Sequence, residues 1–406
     1  MERRILLADA DAGFVAVARL VDPEGAGTAP LLIVGGTRES RGVVCSASYE
    51  ARKYGVRSAM SIAQALRLCP AAMCVPIPGK ACGAKSREIR AVLMRFTPMV
   101  AGASVDEWYC DMSGTEGLYH HEPLTVTARR MRDTVLQETG MSVSLGGGTN
   151  RLIAKLAVER AKPKAGTGGD GVYIVEPGRE ADFMKTCMLA EIPFVGPKFQ
   201  QRLAKLGMTR VTDVLEHELP TLQRLLGDRS AEWLWNRARG IDGSIVESGR
   251  AEAKSISRDE TFPKDLRDDE DLEHELLQLV TRAAADMRGD SLRARTVTVR
   301  IRDMDFRSRS AQRTLPEPVV SDRVMMRVAR ELLAKLRAKR RVPARLLGVA
   351  LSSLTPDPKA DQAVLFKSKS EPAGETERDR LVARTVDRVR EKFGRKGILP
   401  ASLTRP

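Results

Sequence analysis

The sequence predicts a multidomain chain of the α+β class. Its 406 residues are enough for about two to four domains of ordinary size. Short strand-like runs alternate with helical periodicity over residues 1–176, and a pattern of strand, helix, strand, strand, helix, strand follows over residues 254–355. With 42% hydrophobic and 30% charged residues, the chain can bury ordinary cores and is not broadly disordered.

Positive charge is the main compositional feature. The chain carries 67 Lys and Arg against 53 Asp and Glu, a formal net charge of +14. Such an excess favours nucleic acid or an anionic membrane surface as a partner, and charge alone does not choose between them. No apolar run approaches the roughly 18 residues of a membrane helix. Asp9 and Asp11 interrupt the apolar start, which argues against a secretory signal. Six cysteines without a C-x-x-C pair predict reduced thiols in the cytoplasm, not disulfides or a zinc site.

Each element of the first region has its own signal. Ile5–Ala8 is a short apolar run followed by Asp9-Ala10-Asp11, as in a strand that delivers carboxylates to its carboxyl end. Ser104–Asp111 alternates apolar and polar residues like a strand. Gly146–Gly148 predicts a tight turn, and a polar cap begins the predicted helix Asn150–Ala161. The other predicted elements are strands at Leu31–Val34, Val43–Cys45 and Ser142–Leu145, and helices at Ser61–Leu68, Lys85–Phe96 and Leu124–Thr139.

A helical pair over residues 189–216 follows the first region. Lys198–Leu206 and Val211–Leu215 are predicted helices, joined by a turn at Gly207. The glycine turn at Gly196 exposes backbone N–H groups that suit a phosphate, and an ordinary helical hairpin explains the same pattern equally well. Polar residues 242–253 form the predicted linker.

The second region and the tail show the same kinds of pattern. Thr296–Arg302 alternates as a half-buried strand does. From residue 356 the chain turns polar, and it then ends in an amphipathic helix. One face of that helix carries Leu381 or Val382, Val386, Val389 and Phe393. The other predicted elements are helices at Leu272–Met287 and Val324–Leu336 and a strand at Leu346–Leu351.

Three carboxylates stand at predicted strand ends, namely Asp9 and the adjacent pair Asp106 and Glu107. Two divalent cations in one site need several carboxylate oxygens converging on one point, and Mg²⁺ prefers such hard oxygen ligands. Adjacent residues of a strand point to opposite faces, so Asp106 or Glu107 needs a local bend or a less direct role. The alternative is that these acids are solvated surface residues.

A second group of polar residues, Ser46–Gly55, combines hydroxyls and cations. Arg52 can hold a phosphate in fork geometry, and Tyr49 can donate a hydrogen bond. Lys162, next to Pro163, is a further candidate phosphate contact. The alternative for the whole stretch is a basic surface loop.

In this order and at this spacing, these stretches resemble a Y-family (translesion) DNA polymerase of the DNA polymerase IV type. The resemblance covers residues 4–354, and its specificity comes from seven stretches in the family's order. They are Asp9–Asp11, Tyr49–Val56, Ser104–Asp111, Asn150–Lys155 leading to Ala161–Pro163, Ile192–Gly196, Gly240–Asp242 and Lys254–Ser257.

The resemblance implies a right-hand polymerase architecture. Its partners would be primer–template DNA and deoxynucleoside triphosphates, and we expect a cytoplasmic monomer without membrane contact. The implied parts are a palm at 1–11 and 79–177, fingers at 12–78, a helix-hairpin-helix thumb at 178–241, the linker at 242–253, an α+β little finger at 254–355 and a tail at 356–406.

The resemblance also implies catalytic residues. Asp9, Asp106 and Glu107 would hold two Mg²⁺ ions together with the backbone carbonyl of Ala10, which also borders the nucleotide. The implied reaction is nucleotidyl transfer to a primer 3′ end. It would run with low fidelity and bypass damaged template bases.

Further binding residues follow from the same resemblance. The triphosphate ligands would be Ser46, Tyr49, Arg52 and Lys162, and Phe14 would be a steric gate that clashes with the 2′-hydroxyl of ribonucleotides. The DNA contacts would be Gly196 in the thumb and Arg300 and Arg302 in the little finger.

Some positions depart from the family's pattern. Gly13 replaces an aromatic residue, Ala18 a glutamate, Arg151 a lysine and Phe194 a glycine. These changes leave the acidic residues intact and affect the expected shape of the nucleotide pocket. A larger pocket floor at Gly13 is one hypothesis.

The tail segment Gln362–Phe366 looks like a bacterial sliding-clamp-binding peptide, with Gln362, Leu365 and Phe366 as its contacts. The alternative is a last strand of the little finger or plain linker. Two other functions compete with the enzyme: a catalytically inactive polymerase-like accessory protein and a basic structural DNA-binding protein. The intact carboxylates favour the enzyme.

Overall fold

The computed structural model describes residues 3–163, 169–249, 252–357, 374–394 and 397–398. The chain divides into two compact units, Met1–Arg250 and Ala251–Pro406, and this boundary falls inside the segment expected to be a linker. In the part of the chain that is described, no helix is long and apolar enough to cross a bilayer.

The first unit alternates short strands with helices. Side-chain caps begin several of the helices; for example, the Ser48 hydroxyl accepts a hydrogen bond from the Ala51 N–H, and the Asn150 side chain accepts one from the Ile153 N–H. In chain order the elements are β1 (Ile5–Ala10), α1 (Gly13–Val21), β2 (Leu32–Val34), β3 (Ser46–Ala47), α2 (Tyr49–Lys53), α3 (Ile62–Leu68), β4 (Met73–Val75), α4 (Gly79–Leu93), β5 (Val100–Gly102), β6 (Glu107–Asp111), α5 (Leu124–Thr139), β7 (Val143–Gly148), α6 (Arg151–Ala161), β8 (Val172–Ile174), α7 (Glu180–Lys185), α8 (Pro197–Ala204), α9 (Val211–Leu215), α10 (Leu219–Leu226) and α11 (Asp228–Ala238).

The main sheet has the strand order β5-β6-β1-β7-β8. β1 lies at its centre, pairs antiparallel with β6 and β7, and is buried throughout. Leu6 and Ala8 pack into the core on the side of α4 and α5, whereas Ile5 and Leu7 pack on the side of α6. Because side chains alternate between faces, Asp9 lies on the α6 side.

The three glycines predicted to form a turn are instead the second half of β7. α6 lies close against this strand. A Cβ atom on Gly146 would stand 2.0 Å from the backbone nitrogen of Val158, and one on Gly148 would stand 2.4 Å from Ile153. Glycine in a strand permits such close approach of another backbone. The packing of α6 therefore explains the glycines, and the prediction of a turn was wrong.

A small sheet of order β3-β2-β4 lies in the segment expected to form the fingers. The strand predicted at Val43–Cys45 starts later, at Ser46, and Val43 makes an isolated bridge with Ser61. β3 and α2 are separated by one residue, which places Ser46 close in sequence and space to Tyr49 and Arg52.

Helices α7 to α11 share an apolar core with α6, to which Leu203, Val211 and Leu234 belong. The chain then returns to the main sheet: Val246 is 3% exposed and packs with Ile5 and Leu7. The segment 242–246, expected to be polar linker, thus belongs to the first unit and is anchored there by Asp242 and Val246, whereas Ile245 is exposed.

The second unit is an antiparallel sheet with the strand order β11-β10-β12-β9 and two long helices against one face. The predicted alternation holds in β10, where Val297, Val299 and Ile301 are buried while Arg300 is exposed. The elements are β9 (Ser255–Leu266), α12 (Asp269–Gly289), β10 (Leu292–Asp303), β11 (Ser308–Val319), α13 (Asp322–Lys339), β12 (Ala344–Pro356) and α14 (Glu377–Phe393).

The C-terminal helix α14 is attached to this unit by ion pairs. Arg288, whose side chain is 7% exposed, bonds to both Asp322 and Asp387. The Glu375 carboxylate, just before α14, accepts hydrogen bonds from the N–H groups of Val320 and Ser321. Charged groups therefore dock this helix, although the sequence predicted an apolar face.

Candidate active site

The carboxylates of Asp9 and Glu107 lie side by side on the α6 face of the main sheet. Asp9 near the end of β1 is paired in register with Glu107, the first residue of β6. Like charges directly opposite each other across a strand pair destabilise a sheet. A cation is therefore needed between them.

Two lysines from α6 supply that positive charge. Lys155 Nζ lies 2.5 Å from Glu107 Oε1 and 3.7 Å from Asp9 Oδ2. Lys162 Nζ, at the end of the same helix, lies 2.8 Å from Asp9 Oδ2 and 2.6 Å from Glu159 Oε1. The three helix residues are spaced i, i+4 and i+7, which puts them on one face. Sequence reasoning found Lys162 and missed Lys155 and Glu159, for which this spacing was the available signal.

Burial shapes the electrostatics of this cluster. Loss of solvent raises the pKa of Asp9 from 3.8 to about 6, although the charges of Lys162 and Lys155 act in the opposite direction. Burial alone would lower the pKa of Lys162, but the charges of Asp9 and Glu159 outweigh it, and that pKa is raised. The desolvated Asp9 carboxylate is therefore stabilised by added positive charge.

Asp106 lies at the same edge of the sheet but faces a different direction. It precedes β6 in a bend, so the local departure from strand geometry that the sequence required is present. Its carboxylate accepts a hydrogen bond from the Ser104 hydroxyl, and its backbone carbonyl accepts one from the Ala10 N–H at 2.9 Å. Within the described ranges, no group of three or more His, Cys, Asp or Glu side chains is close enough to hold a metal ion. The structure thus brings Asp9 and Glu107 together and leaves Asp106 at the rim.

All three carboxylates open onto one cleft of about 730 Å³. The cleft lies against the main sheet on one side and against β3 and α2 on the other. The predicted residues that line it are Asp9, Ala10, Phe14, Ser46, Tyr49, Arg52, Asp106, Glu107 and Lys162. Residues far apart in sequence therefore share one cavity.

The side of the cleft opposite the carboxylates is basic. Arg52 bonds through Nε to the carbonyl of Ala47 at 2.9 Å, and its guanidinium lies 5.0 Å from the centre of the Tyr49 ring. The Tyr49 hydroxyl is buried and has no hydrogen-bond partner in the described part of the chain. Lys53 and Arg57, which sequence reasoning did not select, also line the cleft. An unsatisfied buried hydroxyl among cations suits an anionic ligand with oxygen atoms.

Phe14 and Gly13 form the floor near Asp106. Phe14 is partly buried and borders both the large cleft and a small adjoining cavity of about 20 Å³ that includes Cys82 and Lys85. A Cβ atom on Gly13 would lie 3.1 Å from the Ala10 Cβ and 3.4 Å from the Asp106 Cβ. Gly13 therefore leaves room for the Asp106 side chain at this edge.

Comparisons with known proteins agree with this geometry. Residues 8–159 match the model of the impB/mucB/samB family, residues 253–364 match its C-terminal domain, and residues 190–242 match the thumb domain of DNA polymerase-iota. A protein of Gluconobacter oxydans called DNA polymerase IV is 35% identical over 90% of this chain and 99% of its own length. Another of the same name, from Halorhodospira halophila, is 36% identical over 87% of this chain and 96% of its own. This chain belongs to the Y family of DNA polymerases.

Solved structures of the family share the fold. A Y-family DNA polymerase chimera of Dbh and Dpo4 superposes with a TM-score of 0.74 at 25% identity, covering 87% of this chain and 99% of the chimera. DinB from Sulfolobus solfataricus gives a TM-score of 0.56 at 25% identity over 86% of this chain and 98% of its own. The predicted right-hand architecture, with a helix-hairpin-helix thumb and an α+β little finger, is confirmed.

The predicted DNA contacts of this Y-family polymerase are not among the residues that line the cleft. Gly196 is the cap of α8, with Pro197 at the first helical position. In the second unit, Arg300 bonds to both carboxylate oxygens of Asp259 at 3.0 and 3.1 Å, and Arg302 bonds to the Ser308 hydroxyl at 2.9 Å. Both arginines lie on the sheet face opposite the helices. The predicted clamp contacts Gln362, Leu365 and Phe366 lie outside the described residues.

Much of the positive charge in the little finger is used within that unit. Between Arg293 and Arg345 there are 16 Lys and Arg against 5 Asp and Glu. Arg309 and Arg340 both pair with Asp303, whose side chain is fully buried. The charge available to a ligand is therefore smaller than the sequence count indicates.

Proposed function

We propose that this polymerase adds deoxynucleotides to a primer 3′ end opposite a template strand in the cleft described above. As a Y-family member the protein is a DNA-directed DNA polymerase of the translesion type, and such nucleotidyl transferases use divalent metal ions. The observation that supports the site assignment is the single cleft between a carboxylate wall, Asp9, Asp106 and Glu107, and a basic wall that includes Arg52. A nucleoside triphosphate with metal ions needs both kinds of surface.

The donor atoms of the carboxylate wall are of the kind that two Mg²⁺ ions would need, although Asp106 does not join Asp9 and Glu107 in one cluster in the described residues. These donors are carboxylate oxygens with a backbone carbonyl at Ala10, the hard ligands that Mg²⁺ prefers. Lys155 and Lys162 already hold positive charge against Asp9 and Glu107, so the site is built for cations. When bound, the two ions would lower the pKa of the primer 3′-hydroxyl and neutralise charge on the pyrophosphate leaving group.

The protein's own groups would bind and orient the nucleotide. Arg52 and Lys162 would carry positive charge toward the phosphates, and the Tyr49 hydroxyl would gain a hydrogen-bond acceptor that it lacks among the described residues. Ser46 supplies a second hydroxyl at the same wall. Phe14 on the floor would exclude a 2′-hydroxyl by steric clash, which selects deoxyribonucleotides.

Primer extension in MgCl₂ tests this proposal. Asp106→Ala and Asp9→Asn should lower the extension rate by at least about a hundredfold, since each removes a carboxylate that would hold the Mg²⁺ ions. Asp111→Asn is the matched control because Asp111 lies on the same strand as Glu107 at the opposite end from the cleft. It should keep the wild-type rate. Extension by wild type and both variants alike, or by none, would contradict the proposal.

The same assay separates the enzyme from an inactive accessory protein. An accessory protein would bind primer–template DNA and extend nothing, whereas the enzyme extends primers across intact and damaged templates. Arg52→Ala and Lys162→Ala should raise KM for the nucleotide, since they remove phosphate contacts. Phe14→Val should raise ribonucleotide incorporation relative to deoxynucleotide incorporation.

Two partner assignments stand as proposals with their own tests. Changing Gln362, Leu365 and Phe366 to Ala should abolish stimulation by a bacterial sliding clamp, and retained stimulation would reject docking through this peptide. We also propose a monomer, so light scattering should give a mass near 44.6 kDa at all concentrations.

A further inference from the structure

The thumb carries an exposed aromatic side chain that its own fold does not use. Phe194 is 90% exposed, between the buried residues Ile192 and Val195. Its backbone has φ +71°, in the left-handed region. The Val195 N–H donates to the carbonyl of Ile192 at 3.1 Å, which closes a four-residue turn with Pro193 second and Phe194 third.

That turn position favours glycine. A turn with proline second and a positive φ third is of type II, and its third residue is normally Gly or Asn. A bulky residue held in the left-handed region costs about 1–2 kcal/mol. The ring also makes little contact within the thumb, so burial does not offset this cost. Backbone strain of this kind marks positions where a side chain serves a ligand.

The charges around Phe194 indicate an anionic ligand. Over residues 190–210 the basic residues Lys198, Arg202, Lys205 and Arg210 are exposed. The one acidic residue in that stretch, Glu191, is bonded to Arg160 and to the Met188 N–H. An exposed apolar ring within a basic surface fits a polyanion that also presents apolar edges. Duplex DNA does so through its deoxyribose rings and groove edges.

We propose that Phe194 is a DNA-contacting residue whose ring packs on the deoxyribose edge of the primer–template duplex. Lys198, four residues along the chain, lies on the adjacent phosphates in the same contact. This inference rests on the proposed function, because it takes primer–template DNA as the ligand. It assigns the thumb an apolar contact besides backbone N–H groups, and such a contact is insensitive to salt.

Salt-dependent binding measurements separate the two kinds of contact. Primer–template affinity is measured by fluorescence anisotropy for the full chain over a range of NaCl concentrations. Phe194→Gly should weaken binding about tenfold at every salt concentration, in the range known for lost aromatic contacts with nucleic acid. Lys198→Ala should instead reduce the slope of log K against log salt by about one phosphate contact. Leu118→Ala, at a palm position that is 75% exposed, is the matched control and should bind as wild type does.

Folding controls keep the test decisive. Phe194→Gly removes the left-handed strain, so its melting temperature should equal or exceed that of wild type. Phe194→Leu keeps an apolar side chain and should retain part of the affinity. Two results would overturn the contact. One is wild-type affinity in Phe194→Gly, and the other is a change in its slope of log K against log salt without a loss of affinity common to all salt concentrations. A wild-type protein that neither binds DNA nor extends primers would instead reject the proposed function.

Discussion

Asp242 is expected to hold the end of the thumb against the palm, and replacing it should destabilise the first unit. The side chain is 6% exposed. Its Oδ1 pairs with Arg237 at 2.9 Å and accepts from the Ser244 N–H at 3.0 Å. Its Oδ2 accepts from the Leu152 N–H at the start of α6 at 3.1 Å and from the Ser244 hydroxyl at 2.8 Å. One carboxylate thus joins α11, α6 and the chain that follows the thumb.

The expected loss of unfolding free energy follows from these hydrogen bonds and the ion pair. Asp242→Asn keeps one acceptor oxygen, turns the other into a donor that faces donors, and removes the counterion of Arg237. Hydrogen bonds to charged groups contribute about 1.5–3 kcal/mol each. Since part of the geometry survives, we expect a loss of about 2–3 kcal/mol, which lowers the melting temperature by about 5–10 °C for a unit of this size.

The pH dependence has a definite sign. Burial raises the pKa of Asp242, but the bonds from Ser244 and the charge of Arg237 outweigh it and hold that pKa below 3.8. The stabilisation from ionised Asp242 is therefore complete above the unfolded-state pKa and is lost as pH falls through the lower folded-state value. The difference between wild type and Asp242→Asn should be constant from neutral pH down to about pH 5 and shrink below about pH 4.

Tryptophan fluorescence is the suitable assay. All three tryptophans, Trp108, Trp233 and Trp235, lie in the first unit, so their emission follows the unfolding of that unit in the full chain. Asp133→Asn is the control, because the Asp133 side chain is 64% exposed and its ion pair with Arg132 is long, at 3.9 Å. Equal stability of Asp242→Asn and wild type at neutral pH, or a difference that does not shrink in acid, would refute this reasoning.

Three further predictions concern packing and charge. Gly146→Ala should lower the free energy of unfolding by more than about 3 kcal/mol, because the new Cβ meets the backbone of α6. Gly79→Ala, whose Cβ would meet no atom of the described residues within 4 Å, should be neutral in the same thermal melts. Asp387→Asn should weaken the bond to Arg288 and so destabilise the docking of α14 by about 1–2 kcal/mol. Amide hydrogen exchange should become faster in that helix alone, and unchanged exchange there would contradict the prediction. Removing residues 251–406 should weaken primer–template binding and flatten its salt dependence, and an unchanged salt slope would show that the little finger contributes no phosphate contacts.

Local patterns in the sequence predicted some helices well and missed others, among them α1, α10 and α11. The helices at Leu124–Thr139 and Val211–Leu215 begin and end where periodicity placed them, because an amphipathic stripe and a terminating glycine or cap are local signals. The prediction failed at β7, where glycines serve close packing by α6. That reason exists only after the chain has folded, so the sequence alone could not supply it.

The candidate site, like the fold, was predicted only in part from the sequence. The resemblance selected the carboxylates and the predicted phosphate ligands, and the structure places all of them around one cleft. The resemblance could not show that Lys155 contacts both Asp9 and Glu107, because such a contact depends on which face of the sheet α6 covers. Nor could a count of charges show that Arg309 and Arg340 are already paired with a buried aspartate.

Helix α6 connects the thumb to the candidate active site. Its N-terminus is held by the Asn150 cap and by Asp242. Lys155 in its middle and Lys162 at its far end lie beside the carboxylates of Asp9 and Glu107. Because the Gly146 contact leaves no gap between helix and sheet, we expect a shift at the N-terminus of α6 to displace Lys155 and Lys162 as well. Substitutions that move α6 should therefore alter the Mg²⁺ concentration needed for half-maximal primer extension while the chain remains folded. Asp242→Asn assayed well below its melting temperature is the direct case, since it changes no residue of the cleft. An unchanged Mg²⁺ requirement in that variant would show that the two ends of α6 are mechanically independent.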